Sequence, residues 1–379
     1  MSRGSRLTLL AGVLLLVLGA GKRPAGLLDV TDVRVFDHPN HTRVVVELSG
    51  SARYHTGTLE DPARLYIDID GVWIEAPLRE PRSSGASAPL RRVRAGQNTL
   101  QRARVVMELA EGSVKHHTFH LKQPFRIVTD VYRAGSAPEP TPDDDRFDQR
   151  PVRRIVLDPG HGGKDPGARG RGGVKEKDVV LRVSRLLRDR LRQAGFEVVM
   201  TRERDEYLSL EERTAVANRL KGDLFISIHA NASPNRKTTG VETYLLDTRY
   251  DRQTARVAAR ENGTSIAQLS ELQRILVSLR LGYHERYAVR LAREIHESLL
   301  ESLRRSYRGT SDLGVKHGPF LVLFMADMPA ILVEVGFVSN RAEARRLSSK
   351  AFARAAAAGI ANGIVRYRDE HARRLVAGR

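Results

Sequence analysis

The sequence predicts two folded regions of different class: an all-β sandwich-like domain, followed by an α/β domain with a mostly parallel sheet flanked by helices. Three observations support this prediction. Residues 27–133 contain short segments of alternating polarity separated by Gly, Pro, Asn and Asp. Residues 134–151 are rich in Pro, Asp and Ser and are predicted to be a linker. Across residues 152–379, strand-like apolar runs alternate with helical spacing, which is typical of a sheet covered on both faces.

An internal repeat supports the sandwich. The segment Arg43-Val-Val-Val-Glu-Leu48 recurs as Arg104-Val-Val-Met-Glu-Leu109, and residues around Asp68 recur around Asp130. Each half has too few strands to bury one of its own faces. We therefore expect two similar small sheets packed face to face.

The elements of the second region follow from local patterns. Helical spacing covers 178–193, and Ser209 with Glu212 forms a capping box for a helix that ends near Leu220. The predicted strands are Arg154–Leu157, Phe196–Met200, Leu224–Ile228, Val241–Leu245 and Ala330–Val335. A charged, helix-prone stretch at about 247–285 interrupts this alternation, and we interpret it as a functional insertion.

The first residues have the layout of a secretory signal. Basic residues precede an apolar run from Leu7 to Leu18, and small residues follow at Gly19 to Gly21. We predict a signal peptide over 1–26, with an uncleaved N-terminal anchor as the alternative. Both interpretations place the rest of the chain outside the cytoplasm, and after signal removal we expect no stable membrane span.

Composition narrows the partners and the kind of metal site. The formal net charge of +18 indicates an anionic partner. Export favours an acidic polymer of the cell envelope, and an aromatic content of 6% argues against nucleic acid. Because the chain contains no Cys, any zinc site must use His, Asp or Glu.

Chemically versatile side chains come at the ends of three predicted strands. His161 follows the first, His229 and Asn231 the third, and Glu334 lies in the last, while Glu176 begins the helix after a Gly-rich loop. Two His and one carboxylate with an open fourth position form a known catalytic zinc set, which His161, Glu176 and His229 fit.

Three further residues around this set have predicted roles. Glu334, a lone charge among apolar neighbours, is the predicted catalytic carboxylate that moves protons. Asp158 and Asn231 are predicted to orient the ligands from outside the metal's coordination shell. Taken singly, each of these residues could instead cap a loop or form a structural contact.

Four motifs in the same order resemble the N-acetylmuramoyl-L-alanine amidases of the AmiA/AmiB/AmiC type. They are Ile155-Val-Leu-Asp-Pro-Gly-His-Gly-Gly-Lys-Asp-Pro-Gly-Ala168, Glu176-Lys-Asp178, Leu224-Phe-Ile-Ser-Ile-His-Ala-Asn-Ala232 and Ile331-Leu-Val-Glu-Val-Gly-Phe-Val-Ser-Asn340. The resemblance implies the same zinc ligands, Glu334 as the catalytic carboxylate, and hydrolysis of the bond between N-acetylmuramic acid and L-alanine in peptidoglycan. The β region resembles the AMIN domain, which implies a periplasmic enzyme recruited to peptidoglycan or the division septum.

The insertion resembles a regulatory segment of this family. In relatives from Gram-negative bacteria, an inserted helix covers the zinc site until an activator with a LytM-type domain displaces it. Ala255-Arg-Val-Ala-Ala-Arg-Glu-Asn262 resembles that helix, and Glu261 is the carboxylate expected to fill the open zinc position. The alternative is an ordinary solvated helix.

Three other functions stay open from the residues alone. A zinc peptidase that cuts within the stem peptide would use the same ligands. A non-catalytic wall-binding protein would not need Glu334. A polyanion-binding envelope protein would rest on charge alone and would show steep salt dependence.

Overall fold

The computed structural model describes residues 23–38, 41–84, 88–110, 114–122, 125–133, 147, 150–247, 250–267, 269 and 285–377. Residues 1–22 of the predicted signal peptide therefore lie outside the described residues. Most of the predicted linker and the later part of the insertion also lie outside them. Contacts divide the chain into two compact units, Met1–Val35 with Thr42–Gly135 and Phe36–His41 with Ser136–Arg379.

The first unit is a sandwich of two five-stranded sheets, as predicted. Its strands are β1 Leu28–Asp37, β2 His41–Leu48, β3 Tyr54–Leu59, β4 Arg64–Asp70, β5 Val72–Ile74, β6 Arg82–Ser83, β7 Leu90–Thr99, β8 Arg102–Leu109, β9 His116–Lys122 and β10 Phe125–Tyr132. One sheet has the order β5-β1-β2-β10-β9 and the other β3-β4-β8-β7-β6. Alternate residues of β8, such as Val105 and Met107, face a core that both sheets share.

Each half of the repeat contributes strands to both sheets. The strand pair β1–β2 of the first half joins β9–β10 of the second, and β3–β4 joins β7–β8. Two ion pairs cross between the halves at matching positions. Arg43 binds the carboxylate of Asp130 at 2.7 and 2.8 Å, and Arg104 binds that of Asp68 at 2.6 and 2.7 Å. The repeated Arg of each half thus pairs with the repeated Asp of the other.

The second unit has a six-stranded sheet in the order β12-β11-β13-β16-β14-β15. Its strands are β11 Arg154–Pro159, β12 Glu197–Met200, β13 Leu224–Asn231, β14 Val241–Leu246, β15 Asp312–Gly318 and β16 Ala330–Phe337. Neighbouring strands are parallel except β14 and β16, which are antiparallel. Strand β15 is not predicted from the sequence, because two glycines and mixed polarity leave no regular alternation in Asp312–Gly318.

The α-helices of this unit whose bounds are described are numbered α1 to α7 along the chain. They are α1 Glu176–Gln193, α2 Leu210–Arg219, α3 Arg252–Glu261, α4 Glu285–Ser306, α5 Leu321–Phe324, α6 Arg341–Leu347 and α7 Lys350–Ala377. The predicted capping box is present, since Ser209 accepts from the Glu212 amide and the Glu212 side chain accepts in return. None of the helices in the described part of the chain combines the length and apolar character that membrane crossing requires.

Strand alternation separates the apolar core from the polar residues that carry chemistry. Ile226 and Ile228 of β13 and Val333 of β16 belong to the large apolar cluster that also includes residues of α1, α4 and α7. The residues between them in sequence point to the opposite face of the sheet. His229 and Glu334 are therefore neighbours on one face, directly opposite each other in the β13–β16 ladder.

Candidate metal centre

His161 lies in the loop that follows β11 and has a fixed ring orientation. Its backbone φ is +55°, a left-handed conformation that non-glycine residues rarely adopt. Its Nδ1 lies 2.7 Å from Oδ2 of Asp165. Because a carboxylate only accepts hydrogen bonds, Nδ1 carries a hydrogen and Nε2 is turned toward the candidate metal centre.

Glu176, the first residue of α1, is fully buried. Its Oε2 accepts from the Ala168 amide at 2.8 Å, and its Oε1 accepts from the Ala230 amide at 2.9 Å. The partial positive charge of the helix N-terminus also favours a carboxylate there. Two backbone donors and a helix end thus hold this charge in place.

His229, on β13, completes the group from the side of the sheet. Its Nδ1 donates to Glu176 Oε1 at 3.0 Å. The glycines of the first loop make room for this packing. A Cβ at Gly160 would overlap the His229 ring, and a Cβ at Gly167, where φ is +61°, would lie 2.6 Å from the His161 ring.

The fourth member is Glu261, the last residue of α3. Its Oε2 lies 2.9 Å from His229 Nδ1 and 3.2 Å from His161 Nε2. One ligand atom from each of His161, Glu176, His229 and Glu261 lies within 4.8 Å of all the others. These residues come from a loop, two helices and a strand.

The donor set fits a divalent cation. Within the described residues, His161 Nε2 and Glu261 Oε2 are buried and have no hydrogen bond of proper geometry, although they lie only 3.2 Å apart. Buried polar atoms without partners are costly. Two imidazole nitrogens and two carboxylates facing one point would satisfy a zinc ion in tetrahedral geometry.

The carboxylates of Glu176 and Glu261 raise the pKa values of the two imidazoles. Burial lowers the pKa of His161, but the charge of Glu176 and the hydrogen bonds with Asp165, Glu176 and Glu261 together raise it well above its usual value. Burial likewise opposes the charge of Glu261, which helps raise the pKa of His229 to about 10. Burial raises the pKa of Glu176, but the charge of His161 and the hydrogen bonds with both imidazoles together lower it. Burial likewise raises the pKa of Glu261, but the charges of Arg260 and His229 and the hydrogen bonds with both imidazoles together lower it. The two carboxylates thus favour positive charge at this point, which a divalent cation would supply.

Glu334 lies beside this group, inside β16. It is fully buried, and neither carboxyl oxygen has a hydrogen bond among the described residues. The nearest cation is Arg260, whose Nη2 lies 3.6 Å from Oε1. Burial, together with the negative charges of Glu261 and Glu176, raises the pKa of Glu334 well above its usual value. A carboxyl group with a raised pKa can take up and release a proton near neutral pH.

Asn231 and Arg260 form a polar link on the same side. Arg260 Nη2 donates to Asn231 Oδ1 at 3.0 Å, and its Nη1 donates to the Ala232 carbonyl at 2.9 Å. The amide nitrogen of Asn231 donates to Glu242, whose other oxygen accepts from Lys316 Nζ at 2.6 Å. These bonds join Asn231 to Arg260 and Glu242 and to no imidazole, and its predicted role in orienting a ligand stays a prediction.

Asp158, the other residue predicted to orient the ligands, hydrogen-bonds with three side chains outside the cluster. Its carboxylate accepts from Thr201 at 2.7 Å, from Ser227 at 2.8 Å and from Arg213 at 2.9 Å. Burial raises its pKa, but the Arg213 charge and the three hydrogen bonds together lower it. The His161 ring is contacted by Asp165, and Asp158 reaches the loop of His161 through Arg213.

Two buried arginines support the loop that carries His161. Arg213 donates to the carbonyls of Pro159 and His161, each at 2.8 Å. Arg202 donates to the carbonyls of Pro159 at 2.9 Å and Gly160 at 2.8 Å. The sequence patterns predict no role for these arginines or for Asp165, although Asp165 lies within the His-Gly-Gly-Lys-Asp motif, the one local signal that could have indicated it.

Comparison with known proteins identifies the family of this chain. Residues 155–366 match the N-acetylmuramoyl-L-alanine amidase family, and residues 32–135 match the AMIN domain. An N-acetylmuramoyl-L-alanine amidase AmiC from Neisseria meningitidis is 32% identical over 89% of both chains, and an AmiC from Escherichia coli is 31% identical over 90% of both. The solved structure of the amidase AmiC2 of Nostoc punctiforme is 30% identical, covers 57% of this chain and 97% of its own, and has a TM-score of 0.44. The chain belongs to the N-acetylmuramoyl-L-alanine amidase family and carries an AMIN domain ahead of its α/β catalytic domain.

Proposed function

We propose that this chain is a zinc-dependent N-acetylmuramoyl-L-alanine amidase that cuts the amide bond between N-acetylmuramic acid and L-alanine in peptidoglycan. The observation that carries the proposal is the convergence of His161, Glu176 and His229, with the buried carboxyl group of Glu334 on the same face of the sheet. Family membership supplies the substrate class. The unbonded His161 Nε2 supports a metal in preference to a purely structural polar cluster.

His161, Glu176 and His229 would hold the metal, and Glu261 faces the fourth position. When bound, zinc supplies Lewis acidity toward the scissile carbonyl and toward water. Glu334 takes the proton from the attacking water and delivers it to the departing amine nitrogen, a role that its raised pKa suits. Asp165 keeps the hydrogen on Nδ1 of His161, so the Nε2 lone pair faces the cation.

We further propose that α3 holds the site in an inhibited state. Glu261 reaches both imidazoles, and Arg260 donates to Asn231 and Ala232 while lying 3.6 Å from Glu334. Two consecutive side chains therefore fill the fourth metal position and the space beside the proton-transferring carboxyl group. A partner protein, in this proposal an activator with a LytM-type domain, would have to withdraw α3 before substrate could enter.

The cellular setting is part of the same proposal. The match to the AMIN domain supports a role in placing the enzyme on peptidoglycan, and the basic composition suits an acidic envelope polymer. We propose a periplasmic enzyme, exported by the N-terminal signal over 1–26, that remodels the wall and acts at the septum during daughter-cell separation.

The test uses the full chain and its Glu261→Ala variant on purified peptidoglycan, with zinc or with a chelator, and identifies the released products by mass. We expect stem peptides that begin with L-alanine, and we expect them to disappear on chelation. Glu334→Gln should retain zinc and lose at least about a hundredfold in turnover.

The products separate the alternatives. Fragments cut within the stem peptide would indicate a different zinc peptidase. Zinc binding without any released peptide would contradict catalysis and favour a wall-binding role.

A further inference from the structure

We propose that Asn231 Oδ1 and the Ala232 carbonyl form a subsite that binds amide N–H groups of the departing stem peptide, with Arg260 occupying that subsite in the inhibited state. The inference rests on the proposed amidase function and deepens it, since it names the part of the substrate that these atoms recognise. Neither residue is a metal ligand in the proposed centre.

The orientation of the Asn231 amide is fixed by its neighbours. Asn231 is 1% exposed, and its nitrogen donates to Oε1 of Glu242. Because the Glu242 carboxylate only accepts and the Arg260 guanidinium only donates, the amide nitrogen faces Glu242 and the amide oxygen faces the site. A flipped amide would set oxygen against carboxylate and nitrogen against guanidinium, which would lose both hydrogen bonds.

Glu242 is anchored in turn. It is fully buried on β14 opposite Glu334, and its Oε2 accepts from Lys316 Nζ at 2.6 Å. A buried carboxylate needs such a partner. The Lys316–Glu242 pair thus acts through Asn231, so Glu242 is a positioning residue for the subsite.

Arg260 shows what the two acceptors bind. Its guanidinium presents one N–H to the Ala232 carbonyl at 2.9 Å and another to Asn231 Oδ1 at 3.0 Å. When α3 withdraws, two aligned acceptors are left facing the reaction site, and acceptors without donors are unfavourable there. The backbone N–H groups of a bound peptide are donors of matching chemistry.

The position of Glu334 indicates which part of the substrate, peptide or sugar, lies in the subsite. Arg260 Nη2 lies 3.6 Å from Glu334 Oε1, so the subsite adjoins the group that must protonate the departing amine. The atoms beyond that amine belong to the stem peptide, while the sugar lies on the other side of the cut bond. The subsite therefore recognises the peptide and not the glycan.

The experiment starts from the full chain carrying Arg260→Ala and Glu261→Ala, which removes the proposed occupant. Asn231→Ala and Glu242→Gln are added to this parent one at a time. The probe is a synthetic stem tripeptide beginning with L-alanine, and its affinity is measured by calorimetry. Zinc content and the kcat and KM for soluble muropeptides are measured on the same proteins.

We expect Asn231→Ala to weaken the tripeptide affinity and raise KM by about tenfold, with a smaller change in kcat, because one hydrogen bond to bound peptide is lost. Glu242→Gln should act in the same direction, since an amide at 242 no longer fixes the Asn231 orientation. Zinc content should not change. The native chain, which keeps Arg260, should bind the tripeptide more weakly than the parent does. Arg256→Ala in the native chain is the control: Arg256 lies on the exposed side of α3, so this change should leave the weak binding unaltered.

Two results would overturn the subsite alone: a parent that cleaves peptidoglycan yet does not bind the tripeptide, or variants that bind it as tightly as the parent. A parent that holds zinc but neither cleaves nor binds would overturn the amidase proposal, and the subsite with it.

Discussion

A single carboxylate, Asp165, orients the imidazole of His161. Its 2.7 Å contact fixes which ring nitrogen carries hydrogen and turns Nε2 inward. Asp158, which the sequence made the more obvious neighbour, contributes through Arg213 and the loop backbone instead. Residue types alone do not distinguish these two roles, because both aspartates lie within a few positions of the histidine.

Replacing Asp165 with Ala should lower zinc affinity by about tenfold to a hundredfold, because the ring loses the partner that orients it. Competition with a chromophoric chelator would measure this. Asp189→Ala is a matched control, since Asp189 lies on the exposed side of α1. Equal zinc affinity in the Asp165 and Asp189 variants would count against the orienting role.

At the scale of elements, α3 is the helix whose last turn meets the candidate metal centre. Its first turn is fixed by Asp251, which accepts from the Thr254 amide at 2.7 Å, and its last turn places Arg260 and Glu261 together. The alternation of the sheet determines what these two side chains meet, because His229, Asn231 and Glu334 share one face. A helical pattern in the sequence predicts that Arg260 and Glu261 share a turn, but it does not predict which residues they contact.

Glu261→Ala should raise basal amidase activity by at least about tenfold, since the inhibited state loses its contact with the metal position. Dye release from labelled peptidoglycan, without any activator, would measure it. Arg256→Ala, exposed on the same helix, should leave basal activity unchanged. A Glu261 variant that folds, binds zinc and is no more active than the native chain would rule out this form of inhibition.

At the scale of the whole molecule, two compact units of different construction follow one another. The catalytic unit rests on one large apolar cluster between its sheet and helices. The β unit combines a shared apolar core with the two ion pairs that cross between its halves. The Arg43 and Asp130 side chains are each 6% exposed, whereas the Arg104 side chain is 29% exposed.

Arg43→Ala should therefore destabilise the β unit by about 3 kcal/mol, because it removes the bidentate partner of a buried carboxylate. Hydrogen–deuterium exchange of peptides covering β2 and β10 would report the loss. Arg104→Ala, the equivalent change in the other half, should cost about 1 kcal/mol because its pair is partly solvated. Equal protection losses for the two variants would contradict this difference in burial.

The sequence by itself determined the two fold classes, the internal repeat and the family, because each depends on local periodicity or on contiguous motifs. It also singled out His161, Glu176, His229 and Glu261, which the structure brings together, although their roles stay a proposal. Only the tertiary structure decided the exchange of strands between the two sheets and the partners of Asn231. Those contacts join positions that are distant in sequence, as in Arg43 with Asp130 or Asn231 with Arg260. Such pairings depend on how strands and helices pack, and packing produces no periodic pattern in the sequence.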